Sequence, residues 1–365
     1  MILLPVLILV IPPLLPVDLP KPTGFWSVLG RTRAELDDPE HKSDGKKILL
    51  WIWYPAATSS AGATRSAPYL PQPWRRFHDN GIDSHLFAHQ SWSVHTNSMT
   101  DAPLAGGNER FPILLMMPGL GASVLGYQIY AEELASHGYV VVGIAAPNSE
   151  PITALADGKV YFGEFGGASD TQVDDWARDI IFVLDHIDKI TPLIPAARLD
   201  LDKVGAFGHS FGGAAAIEAC ALDSRFKAAA DLDGKLWGSA RKSGADGACM
   251  IVHGQPLIAN RIAGEQLFNG KSDKYLVTIS GSTHFNYSDN GLLLSPLLKV
   301  RLLGVQILGD LDGKEILLMN RSLLASFFDR SLKNLPAPYL ESNKLKEMQI
   351  QHFKPGENGL NLPSF

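Results

Sequence analysis

An α/β fold, with a mostly parallel sheet between layers of helix, is predicted by three observations. From residue 47 onward, short β-rich apolar runs alternate with helix-patterned stretches, the rhythm of strand–helix–strand units. One strand–helix junction, in "KVGAFGHSFGGAAAIEACAL" (203–222), carries a serine between glycines. The chain has 365 residues, 45% of them hydrophobic and 19% charged, enough to bury one large core.

The elements follow in order. Residues 1–20 carry no charged side chain before Asp18. That apolar start fits an export or anchor segment and equally an apolar arm packed on the protein or on a lipid surface. Pro5, Pro12, Pro13 and Pro16 would break a spanning helix. A helix of about 17 residues reaches only ~25 Å, short of a bilayer core. The expected location is secreted, periplasmic or membrane-associated, with a cytoplasmic one as the alternative. The body is expected over 21–340, with a polar tail over 341–365.

Strands are predicted at "KILLWIWYP", "FPILLMMP", "GYVVVGIAAP", "DKVGAFGH", "FKAAADLD", "ACMIVHG" and "KYLVTISG". Helices are predicted near 123–137, 170–189, 210–222, 290–307 and 314–333. Residues 58–110 are too long for an ordinary connection and are predicted to be an insertion, or lid. Its Trp74, Phe77, Phe87 and Trp92 could line the approach to a pocket or simply anchor it to the body. His85 and His89 have the i, i+4 spacing of a helical zinc pair, but no glutamate follows His85 and no cysteine is near, so neither a metal nor a cofactor is expected.

Composition narrows the function classes. A net charge of −6 and a pI near 6.0 give no polycationic surface, which argues against a nucleic-acid partner. Cys220 and Cys249 both sit in apolar runs, where buried free thiols are the commoner state.

Gly208-His209-Ser210-Phe211-Gly212 matches G-x-S-x-G, a pattern that chance supplies in about one chain in ten of this length. Its context is more telling. The serine falls on the sharp turn from a buried strand into a helix, where flanking glycines allow close approach of the backbone. A serine hydroxyl needs a base to take its proton and an acid to orient that base. In the α/β-hydrolase fold these follow in the order Ser, Asp or Glu, His, at the ends of later strands.

Asp231 and Asp233 leave one strand on the same side, and Asp233, next to Gly234, lies further towards the loop. Asp231 is assigned to the strand or to support of the site. Three histidines follow: His253, His284 and His352. His284 is preferred because it lies in the polar loop after the last strong strand; His253 comes one strand early, and His352 lies in the tail. The loop Pro118-Gly119-Leu120-Gly121-Ala122 offers the backbone N–H of Leu120 as an oxyanion donor, paired with that of Phe211.

With these residues assembled, the chain resembles the platelet-activating factor acetylhydrolases of the plasma and intracellular type II group. The likeness is carried by "LPKPTGFWSV", "LLWIWYPA", "GLGASVLGYQIYAEELASHGYVV", "LDKVGAFGHSFGGAA", "RFKAAADLD", "ISGSTHFNYSD" and the run from "LGDLDGKEIL" to "SLLASFFDRSL". The resemblance implies a calcium-independent ester hydrolase for short or oxidised acyl chains on phospholipids, or a bacterial-type carboxylesterase. It also implies Ser210 as nucleophile, Asp233 as acid, His284 as base and Leu120 and Phe211 as oxyanion amides. The family's histidine before "GLGA" is Pro118 here, and 58–110 and "GKLWGSARKSGADGA" show little likeness. An aryl or polyester hydrolase and a non-catalytic binding protein are the alternatives.

Overall fold

The computed structural model describes residues 15–37, 47–57, 65–79, 89–146, 149–163, 166–190, 192–254, 267, 271–294, 307–341 and 346–356. Its strands are β1 (Val17–Asp18), β2 (Leu29–Asp37), β3 (Lys47–Pro55), β4 (Ser66–Pro68), β5 (Val94–Thr100), β6 (Phe111–Met117) and β7 (Val140–Ala145). After them come β8 (Ile152–Ala154), β9 (Val160–Phe162), β10 (Leu199–His209), β11 (Phe226–Leu232), β12 (Ala248–His253), β13 (Lys274–Ile279) and β14 (Met348–Phe353). Twelve of these form one sheet in the order β1-β5-β2-β3-β7-β6-β10-β11-β12-β13-β14, with β4 added to β5.

From β7 through β6 and β10 to β13 all neighbours are parallel, while β2–β3, β3–β7 and β13–β14 are antiparallel. The parallel centre follows from its sequence. In "FPILLMM", Ile113, Leu115 and Met117 join one apolar cluster while Leu114 and Met116 join the other, so the two-residue period buries both faces.

The helices are α1 (Trp74–Asp79), α2 (Gln128–Ser136), α3 (Asp170–Asp185), α4 (Phe211–Leu222), α5 (Ala240–Ser243), α6 (Asn290–Leu293) and α7 (Gly313–Lys333). The buried residues of α3 and α4 belong to one cluster, and most of those of α2 and α7 to the other, which sandwiches the sheet. Helix α4 can lie tight on β10 and β11 because "GGAAAIEACA" is small. At Gly213 an added Cβ would fall 1.9 Å from Asp231 Oδ1.

Each of the seven predicted strand segments coincides with one of these strands. Several elements differ from expectation. Val94–Thr100, inside the 58–110 stretch, is a strand of the main sheet between β1 and β2, while Trp74–Asp79 forms a short helix. Met348–Phe353 adds an edge strand beyond residue 340, and Val17–Asp18 pairs with β5 before residue 21. Of the helix predicted over 290–307, Asn290–Leu293 is helical and 295–306 lie outside the described residues, as do residues 1–14, His85 and Phe87. Both cysteines are buried and free.

Candidate active site

Ser210 stands between β10 and α4 with φ 56° and ψ −122°, a strained conformation for a residue with a side chain. Its own N–H donates to Leu232 O at 2.8 Å, one strand over, which holds the turn in place. The glycines on either side have no room for a Cβ. At Gly208 it would meet Met117 O and Gly212 C at 2.5 Å, and at Gly212 it would meet Pro118 O at 2.1 Å. The backbone of the β6 loop therefore closes against the turn, as the spacing of glycines predicts.

Asp233 leaves β11 in the same kind of conformation, φ 56°, with its N–H donating to Val252 O at 2.7 Å. Its Oδ2 accepts from His284 Nδ1 at 2.7 Å; Oδ1 accepts from His253 Nδ1 and from the Gly254 N–H, both at 3.2 Å. Burial opposes ionisation of Asp233, but hydrogen bonds from His253 and His284 outweigh it and hold the carboxyl well below its usual range. The neighbouring Asp231 is fully buried and accepts from the Gly234 N–H at 2.9 Å. Burial, then the Asp233 charge, push its carboxyl far upward.

His284 opens a 3-10 turn, His284–Tyr287, that is closed by a reciprocal cap between Thr283 and Asn286. Asp289 ties this loop to its surroundings. Its carboxyl accepts from the first amides of α2, Gln128 at 3.0 Å and Ile129 at 3.3 Å, and from the Tyr69 hydroxyl at 3.1 Å. Burial pushes Asp289 up to about 7 against these hydrogen bonds.

On the opposite wall, the Gly119 N–H donates to the Tyr127 hydroxyl at 3.1 Å and the Gly121 N–H to Ser149 O at 3.0 Å. The two amides beside Leu120 are thus engaged away from the serine. Glu150 accepts from the Val124 N–H at 2.6 Å and the Ser123 hydroxyl at 3.3 Å, bracing the end of this loop. Burial raises its carboxyl to about 8, opposed by those same bonds.

Ser210, His284 and Leu120 border one cavity of about 400 Å³, walled by Tyr69, Trp74, Phe77, Ile152 and Phe285. That volume suits a small organic ligand. Trp74 and Phe77 therefore line the approach. The Trp74 indole N–H donates to Ile152 O at 3.0 Å and its ring meets Trp51 edge-on at 5.4 Å. Trp92 is half exposed. Ser210 and His284 share the cavity without a hydrogen bond between them among the described residues, a gap that commonly closes when substrate binds.

The other sequence candidates fall elsewhere. His352 pairs with Asp273 at 2.8 Å and stacks on Tyr275 at the sheet edge. His89 Nδ1 lies 3.3 Å from Leu15 O, and no group of three or more potential metal ligands occurs among the described residues. His253, which ends the strand before β13 and by sequence could touch the site, contacts Asp233; sequence reasoning missed that His209 contacts Tyr127 and the backbone of His284. For His209 the available signal was its place inside the turn itself.

A serine turned out of a strand end, with an acid and a histidine from two later strands, is the arrangement of the α/β-hydrolases and of their serine-esterase branch. The sequence profile of the platelet-activating factor acetylhydrolase, isoform II family matches residues 38–153 and 196–351, well over half of the chain. The chain belongs to that family.

Among its relatives, a "Probable 1-alkyl-2-acetylglycerophosphocholine esterase" of Arthroderma benhamiae is 31% identical, over 63% of this chain and 62% of its own length. The chain thus spans somewhat under two thirds of that relative. A platelet-activating factor acetylhydrolase of Canis lupus familiaris is 25% identical over 93% of this chain and 83% of its own. The solved structure of a ferulic acid esterase from Streptomyces cinnamoneus shares the fold, with a TM-score of 0.72 and 24% identity, covering 92% of this chain and 99% of that one.

Proposed function

We propose that the chain is a serine carboxylic ester hydrolase for short-acyl or lipid-like esters, working through an acyl-enzyme. The observation that carries this is the 2.7 Å contact between Asp233 Oδ2 and His284 Nδ1 at the cavity that Ser210 enters. Asp233 fixes the tautomer in which His284 Nε2 is unprotonated and faces the serine. His284 takes the Ser210 proton as Oγ attacks the ester carbonyl, and the amides of Leu120 and Phe211 receive the developing oxyanion. His284 then protonates the departing alkoxide. Water, deprotonated by the same ring, attacks the acyl-serine and releases the acid.

The aromatic wall of Trp74, Phe77 and Phe285 supports an apolar substrate. The uncharged stretch ahead of Asp18 supports delivery outside the cytoplasm or to a lipid surface. Among the described residues no helix is long and apolar enough to cross a membrane. A binding-protein role is not favoured, because no member of the Ser–Asp–His set is missing.

Ser210→Ala tests the assignment. It should abolish p-nitrophenyl acetate turnover and fluorophosphonate labelling while leaving the melting temperature near that of the parent. Retention of most turnover would remove Ser210 from the mechanism.

A further inference from the structure

His209 is buried at the centre of the site, next to the serine, and the chemistry above gives it no task. Its ring lies over that of His284, with centroids 4.5 Å apart. Both of its nitrogens are engaged: Nε2 lies 3.1 Å from the backbone oxygen of His284, and Nδ1 lies 2.9 Å from the Tyr127 hydroxyl. A carbonyl oxygen only accepts, so Nε2 carries the hydrogen. Burial first, and the neighbouring His284 second, lower His209 to about 3, so the ring is neutral and Nδ1 accepts from Tyr127. The Tyr127 oxygen in turn accepts the Gly119 N–H at 3.1 Å.

Every donor and acceptor in this chain is thereby fixed. One hydrogen-bonded path runs from the main chain of the base to the main chain of the oxyanion loop. We infer that His209 and Tyr127 are positioning residues, a relay that fixes the His284 backbone and the Leu120 amide relative to each other. The Gly119 amide, turned toward Tyr127, orients the loop at Leu120. The pinned His284 carbonyl sets the origin from which its ring reaches Ser210. Neither relay residue exchanges a proton with substrate.

This inference rests on the Ser210–His284 assignment, and its test separates the two. The parent enzyme is first labelled with a fluorophosphonate; absence of label at Ser210 would overturn the underlying assignment. Active sites are then titrated in Tyr127→Phe, His209→Leu, the double variant and His209→Gln, and kcat is expressed per titrated serine.

A misplacement of about 1 Å can cost on the order of 100-fold, so Tyr127→Phe and His209→Leu should each lower kcat roughly 10- to 100-fold, with KM changed less than about 3-fold. The double variant should be no more than about 3-fold worse than the worse single one, because both cut the same path. His209→Gln, whose amide can still donate to the His284 carbonyl, should recover much of what His209→Leu loses. Single variants with parental kcat, or losses that multiply in the double variant, would overturn the relay. Should His209→Leu not fold, the milder Tyr127→Phe decides alone by its kcat against KM.

Discussion

Glu150 makes the stability of this protein depend on pH in a direction that can be worked out beforehand. Its carboxyl is buried behind the oxyanion loop and raised to about 8, whereas in an unfolded chain it ionises near ~4.3. Between those values the folded state holds a proton that the unfolded state has lost. Stability therefore falls as pH rises, by about 1.4 kcal/mol for each pH unit. From pH 5 to pH 7 the loss is about 3 kcal/mol. For 365 residues at ~2.1 cal/mol/K each, the unfolding entropy is about 0.8 kcal/mol/K, so the loss corresponds to about 4 °C.

Glu150→Gln keeps the shape of the protonated acid and an oxygen for the Val124 amide, but cannot ionise. Asp289, Asp231 and Glu132 are also raised by burial, with the same sign, so the difference between the two proteins, not the parent's own slope, isolates Glu150. Thermal melts of both at pH 5, 6 and 7 should start close together and diverge, the parent losing about 4 °C more than the variant. Parallel melting curves across that range would mean that Glu150 is already ionised in the folded protein, and the reasoning from burial would be wrong.

Other outcomes follow from the same geometry. His284→Ala should lower kcat by about 10⁴-fold in steady-state ester hydrolysis, whereas His253→Ala, which leaves the His284 contact with Asp233 in place, should keep more than roughly a tenth of it. Inactivation by His253→Ala alone would make His253 the base. Gly208→Ala drives a methyl to 2.5 Å from two backbone atoms and should destabilise by at least about 3 kcal/mol or prevent folding, which a denaturant titration reads. Trp74→Ala removes an aromatic wall of the cavity. It should change the ratio of kcat/KM between long and short acyl esters by roughly 10-fold, and an unchanged ratio would place the acyl chain elsewhere.

The parallel centre of the sheet was readable because burial on both faces leaves near-continuous apolar runs such as "FPILLMM" and "ACMIVHG". The edges were not. Strand β14, "MQIQHF", is half polar because only part of it is covered, and β2, "LGRTRAELD", owes its place to pairing with β3. At the site, the serine turn announced itself because its backbone tolerates only glycine at the points of closest approach. Asp233 was separable from Asp231 by its step toward the loop, and the structure brings it to His284. Nothing in a single sequence reveals that Tyr127 faces His209 across 82 positions, because that contact is made by how the loop after β6 packs on the end of β10 and not by local pattern.

The hydrogen bonds that hold the two strained turns have a consequence for biosynthesis. The Ser210 amide is secured by Leu232, the Asp233 amide by Val252, and the Asp233 carboxylate meets a ring at position 284. Each anchor lies further along the chain than the residue it holds. A growing polypeptide with residue 210 already outside the ribosome has the β6 loop that closes on Gly208 and Gly212 but still lacks these later anchors, and it gains them one strand at a time in order of synthesis. The contact between Asp233 and His284 therefore forms only after synthesis has passed β13, and a nascent or truncated chain ending before that point has a serine turn without it.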